Sequence, residues 1–103
     1  VRLVAPEVVI WHVPNGQYRT RAEGAKLRWV GVLSGVFDLT LALPDGRTAF
    51  WETKAEKGRL SDEQQAFAAR LDALGHRWAV VRSVDDARRE LQALGIEISE
   101  ALR

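Results

Sequence analysis

The 103-residue chain has no cysteine, no methionine, two histidines and three prolines. The absence of cysteine excludes a disulfide framework, a thiolate zinc site and a cysteine nucleophile. With only His12 and His76, a histidine-rich metal cage is excluded as well. No apolar run approaches the roughly 18 residues of a membrane span, and no signal-peptide pattern opens the chain. A soluble intracellular domain is therefore expected. The missing initiator methionine reads as a start downstream of the natural one, with an N-terminal piece lost.

What is present suits one small domain: 47% of the residues are hydrophobic and 28% charged. A chain of this mass exposes about 5,800 Å² folded against about 16,700 Å² unfolded, enough for a modest core without staples. The net charge is only +1, but it is unevenly spread. Residues 12–37 carry Arg19, Arg21, Lys26 and Arg28 against Glu23 alone, whereas residues 61–103 hold six bases and eight acids. Such asymmetry permits a local anion-binding face, although four bases in one helix region are usually a solvated surface.

Val8–Val13 is β-branched and aromatic, lies between Pro6 and Pro14-Asn15-Gly16, and reads as a strand ending in a turn. Thr20-Arg21-Ala22-Glu23 fits a capping box that opens a helix running to about Val30. Phe37, Leu39, Leu41 and Leu43 alternate with Val36, Asp38, Thr40 and Ala42, the period of a strand. A type I turn over Leu43-Pro44-Asp45-Gly46 returns the chain as a partner strand, Arg47–Lys54. Ser61-Asp62-Glu63-Gln64 is a second capping box, for a helix with Phe67, Leu71 and Leu74 inward and Gly75 at its end. The apolar Trp78–Val81 reads as a buried parallel strand, which makes residues 47–82 a βαβ unit with right-handed crossover. Ser83 then caps a last helix with Ala87, Leu91 and Leu94 inward and Gly95 ending it. The fold class expected is α/β, a small mixed β-sheet flanked by helices.

The hairpin decides where the acids point. A three-residue loop, Pro44 to Gly46, pairs Leu43 with Arg47 and so sets Asp38 across from Glu52. A two-residue Asp-Gly loop would shift the register by one and mix polar with apolar faces. Two facing carboxylates destabilise a sheet by a few tenths of a kcal/mol or more. Lys54, on the same face as Glu52, could offset this in a simple surface charge cluster. On a half-buried face, the same pair suits a hard divalent cation such as Mg²⁺.

Asp38, followed after thirteen residues by Glu52-Thr53-Lys54, fits the D…(D/E)xK pattern of the PD-(D/E)xK nuclease superfamily. The surrounding residues are more specific: Pro14-Asn15-Gly16, Gly31-Val32, Ser34-Gly35-Val36-Phe37-Asp38, Gly58-Arg59-Leu60-Ser61-Asp62-Glu63-Gln64 and Gly75. In this order they resemble VRR-Nuc domains, the virus-type replication–repair nucleases, from about His12 to Gly95. Three departures stand out. Phe37 occupies a position where the family usually has proline, and Thr53 one that is commonly apolar. The glutamate that the family's first helix contributes to the site would lie upstream of Val1, so residues 1–103 are expected to form one nuclease domain lacking part of its N-terminal helix.

The resemblance implies a restriction-endonuclease-like core and an Mg²⁺-dependent DNA endonuclease, with Mn²⁺ as substitute. Asp38, Glu52 and the Thr53 carbonyl would hold the metal, with Lys54 orienting or deprotonating water or neutralising charge. It also implies an active-site position for Gln64, which the capping box would otherwise explain. Ser61 is a helix cap. His12, Asn15, Arg19, Arg21, Lys26, Arg28, Lys57 and Arg59 are the candidates for DNA contact, chiefly to phosphates. Free-standing family members resemble Holliday-junction resolvases, so branched DNA and a homodimer are expected. Neither a membrane nor a nucleotide cofactor is expected, and the expected location is the cytoplasm of a bacterial or phage-infected cell. The alternatives are a non-catalytic DNA-binding or assembly module on the same fold, and a nuclease specific for unbranched DNA.

Overall fold

The computed structural model describes residues 2–4, 6–14 and 35–101. The expected helix after Thr20 lies outside them, as do Asn15, Arg19, Arg21, Lys26 and Arg28. The described elements are β1 (Arg2–Val4), β2 (Val9–His12), β3 (Leu39–Ala42), a 3₁₀ turn (Pro44–Gly46), β4 (Thr48–Thr53), α1 (Asp62–Leu74), β5 (Arg77–Val81), α2 (Val84–Ala93) and β6 (Ser99–Ala101). Four strands form a mixed sheet in the order β2-β3-β4-β5. Its first two pairings are antiparallel and the last is parallel, with α1 forming the connection. The mixed α/β sheet agrees with the sequence reading.

The hairpin has the three-residue-loop register, with Leu39 opposite Trp51 and Leu41 opposite Ala49. The turn itself differs from type I. Asp45 stands at φ 64° and Gly46 at φ 73°, both left-handed. Aspartate tolerates that region better than most side chains, which lets two consecutive residues reverse the chain.

One face of the sheet packs on α2: Leu41, Leu43, Ala49, Trp51 and Val81 join Leu91, Leu94 and Ile96 in a buried cluster. The other face meets α1. There Phe37 is fully buried, its ring 5.4 Å from Phe67 and 5.8 Å from Trp78. Phe37 therefore does not continue the Leu39-Leu41-Leu43 face, because it precedes β3 and follows the left-handed Gly35. On α1 the inward stripe is Gln64, Ala68 and Leu71, with Phe67 half-buried. Leu74, expected inside, is 72% exposed at the last helical position.

Both helices are capped as their sequences indicate. Ser61 and Gln64 complete a reciprocal capping box, Gly75 closes α1 at φ 81°, and Ser83 Oγ accepts the Asp86 N–H. Arg77 ties β5 to α2 through Glu90, whose hydrogen bonds and charge hold the guanidinium pKa above its ordinary value. The β1–β6 pairing of the chain's two ends had no counterpart in the sequence reading.

Candidate active site

The first shared position beyond the β3–β4 ladder is Asp38 against Glu52, and here side chains take over from backbone pairing. The Asp38 N–H donates to Glu52 Oε1 at 3.1 Å, while its carbonyl accepts the Val13 N–H at 2.7 Å. In return the Asp38 carboxylate takes the residue after Glu52: Thr53 N–H donates to Oδ1 at 2.9 Å and Thr53 Oγ1 to Oδ2 at 2.5 Å. Each acid is thus oriented by the other's strand.

Glu52 is the buried member of the pair, 5% exposed. Its Oε2 accepts the Gln64 side-chain amide at 2.8 Å and lies 3.5 Å from Lys54 Nζ. A carboxylate this far from water is tolerable only with such donors around it. The helix that brings Gln64 is seated by Gly35: a Cβ there would come within 2.5–2.8 Å of Glu63 atoms, two of them backbone. With φ +79°, that position admits only glycine without strain. Phe37 completes the seat. Where the resembled family usually has proline, this chain fixes the approach to Asp38 by burying an aromatic ring between α1 and β5.

Asp38, Glu52, Lys54 and Gln64 therefore come together at the carboxyl end of β4, where its parallel neighbour β5 also ends. Each carboxylate oxygen has room for two hydrogen bonds, so acceptor positions remain on both Asp38 oxygens and on Glu52 Oε1. Among the described residues no three histidine, cysteine, aspartate or glutamate side chains form a metal-sized cluster. Two carboxylates with carbonyl and water oxygens are nevertheless a donor set that Mg²⁺ or Mn²⁺ accepts.

Other candidates stand apart. His12 pairs with Leu39, which places it on the sheet face opposite Asp38 and Glu52, exposed on β2. Lys57 and Arg59 are exposed on the segment between β4 and α1. Two contacts escaped the sequence reading. One is the Thr53 hydroxyl on Asp38, where only the carbonyl had been assigned a role. The other is Arg82, whose Nη1 donates to Gly58 O at 2.9 Å and reaches Ala55 O at 3.4 Å. Its signal was its place one residue beyond Val81, beside Lys54 in the parallel register.

Comparison with known proteins places these observations in a family. Residues 3–85 match the profile of the VRR-NUC domain. A solved structure described as a VRR_NUC domain is 21% identical, with a TM-score of 0.61 over 82% of this chain and 76% of that one. That likeness is one of fold. No curated protein matches the chain.

Proposed function

This chain belongs to the VRR-NUC domain family, whose function is of nuclease type, and from that premise we propose that it is a divalent-metal-dependent endonuclease of DNA. The observation that carries the reading is the cross-bonded pair Asp38–Glu52 with Lys54 at 3.5 Å from Glu52. Structural carboxylates at a strand end do not need a buried amide, a buried acid and a lysine arranged around three oxygens with acceptor positions left.

Asp38, Glu52 and the Thr53 carbonyl would hold Mg²⁺, or Mn²⁺ in its place. When bound, such an ion polarises water and neutralises phosphate charge. The remaining work falls to the chain itself. Water adds its oxygen to phosphorus, one ester P–O bond breaks, and the departing oxygen gains a proton. Lys54 supplies positive charge where the non-bridging oxygens gather negative charge, or holds the attacking water through its ammonium. Gln64 keeps Glu52 aimed outward from its buried position. Thr53 does the same for Asp38 through two donors. Lys57 and Arg59, together with Asn15, Arg19, Arg21, Lys26 and Arg28, would grip phosphates, and exposed His12 would contact DNA only along the strand edge.

A domain of this size cuts one strand with one acid pair, so a two-fold dimer acting on branched DNA suits it best. Among the described residues no helix is long and apolar enough to cross a membrane, and a cytoplasmic location is compatible with that. The test is a side-by-side cleavage assay on four-way junction, flap, duplex and single-stranded DNA, with Mg²⁺, Mn²⁺ or chelator. Metal-dependent cutting strongest on branched DNA is expected. Binding to all four without cleavage would favour a non-catalytic module.

A further inference from the structure

Arg82 links the nuclease site to the far side of the βαβ unit. Its backbone N–H donates to Asp86 Oδ2 at 2.9 Å, which fixes it to the first turn of α2. On the other side, its Nη1 holds two carbonyls of the turn that follows Lys54, Gly58 O at 2.9 Å and Ala55 O at 3.4 Å. That turn is closed by the Gly58 N–H on Ala55 O at 2.9 Å. It also runs beside the lysine: a Cβ on Gly58, if there were one, would lie 3.4 Å from Lys54 Cβ. Lys54 in turn donates its own N–H to Val81 O at 3.1 Å, one residue before Arg82.

We infer that Arg82 is a positioning residue for Lys54. By clamping the Ala55–Gly58 turn from two carbonyls, it holds the backbone that flanks the lysine and so keeps the ammonium at Glu52. A charged donor on two carbonyls is among the stronger hydrogen-bonding arrangements at a surface. The role rests on the nuclease reading for its catalytic consequence, but not for its geometry.

The test uses Arg82→Ala and Arg82→Lys in the full chain, with two readouts. Amide exchange at Gly58 needs no substrate. It is expected to speed up in Arg82→Ala, with the α1 amides unchanged, and to be largely restored by Arg82→Lys, whose ammonium can reach the same carbonyls. Cleavage at saturating DNA is expected to lose about tenfold or more in kcat in Arg82→Ala, as small displacements of a catalytic group do. DNA affinity should stay within about twofold, with Arg82→Lys again recovering most of the loss. Unchanged Gly58 exchange overturns the clamp. A loss confined to affinity, with the salt slope reduced by about one, makes Arg82 a phosphate contact instead. A loss that follows the unfolded fraction makes it merely structural. A wild-type chain that cleaves no DNA overturns the nuclease reading, while the Gly58 exchange still decides the clamp.

Discussion

Gln64 donates its side-chain amide to Glu52 Oε2 at 2.8 Å, and the same amide's oxygen accepts the Ser61 N–H at 3.0 Å. One side chain thus serves as both helix cap and acid holder, the two roles between which its spacing alone could not choose. The roles separate in Gln64→Glu, which keeps the capping oxygen but turns the donor facing Glu52 into a second carboxylate. That variant is expected to retain α1 yet lose at least tenfold in cleavage. Its stability should fall as pH rises through the carboxylate range, because the introduced acid binds its proton more tightly in the folded state than in the unfolded one. Gln64→Ala removes the acceptor of the Ser61 N–H, the reciprocal half of the capping box, and leaves the buried Glu52 Oε2 short of a donor for about 1–3 kcal/mol. Thermal melts between pH 4 and pH 8, chosen to span about the carboxylate titration, check both.

Asp38→Asn and Glu52→Gln are expected to abolish cleavage while keeping the fold. If the two acids merely repelled each other, each neutral variant would gain stability. In the structure both carboxylates accept hydrogen bonds from backbone and side chains, so each variant should instead lose about 1–2 kcal/mol. Urea unfolding gives the sign. Near wild-type turnover by either variant with Mg²⁺ present would remove the assigned site.

Gly35→Ala tests the seat of α1 against the loop that carries Asp38. The left-handed φ of +79° and the approach to the Glu63 backbone both penalise a Cβ. A loss of about 2–4 kcal/mol in urea unfolding is expected, with cleavage reduced beyond what unfolding explains. Gly46→Ala is the control: it shares the positive φ at 73° but has open space around it, so only the smaller conformational cost should appear.

The legible parts of this protein were those that a strong local pattern forced. Alternation of Leu39, Leu41 and Leu43 against Trp51 and Ala49 allows one register only, and that register alone places Asp38 at Glu52. Both described helix caps were visible for the same reason, since a serine whose hydroxyl accepts the backbone N–H three residues on is a local event. What was hidden depends on contacts distant in sequence or on the geometry of chain ends. β1 and β6 join opposite ends of the chain with three residues each, too few to show a period. Phe37 changes face because Gly35 redirects the backbone just before β3. The Thr53 hydroxyl reaches Asp38 only once two strands have met, and Arg82 reaches Gly58 only across the βαβ crossover.

Lys57 and Arg59 are exposed on the segment between β4 and α1, two carbonyls of which accept from Arg82. Phosphate contacts raise affinity for any DNA and release counterions. Lys57→Ala and Arg59→Ala should therefore weaken binding to junction and duplex by similar factors. Each should also lower the slope of log affinity against log salt by about one. Fluorescence anisotropy across a salt series measures both. Reduced cleavage with an unchanged slope would exclude phosphate contact for that residue.

The proposed dimer needs an apolar surface outside the core. Ile96 is buried at 4% exposure, and Val8 and Ile98 pack against the same core. Three exposed apolar side chains stand in a row on β2, where Val9 is 63%, Ile10 45% and Trp11 47% exposed. Among the described residues β2 pairs with β3 alone, so it is an edge strand with apolar side chains and free backbone groups. Such an edge is a template for another strand, and a second copy offers the same edge in a self-complementary arrangement. A stable interface needs on the order of 1,200 Å² in total, more than one strand provides, so neighbouring surface must take part. Sedimentation at micromolar concentration should give twice the 11.5 kDa chain mass. Val9→Lys, exposed and therefore nearly neutral for the fold, should return the monomer. It should also abolish paired cuts on a four-way junction while leaving single nicks. A wild-type chain that sediments as a monomer and cuts junctions with first-order dependence on enzyme would overturn the dimer.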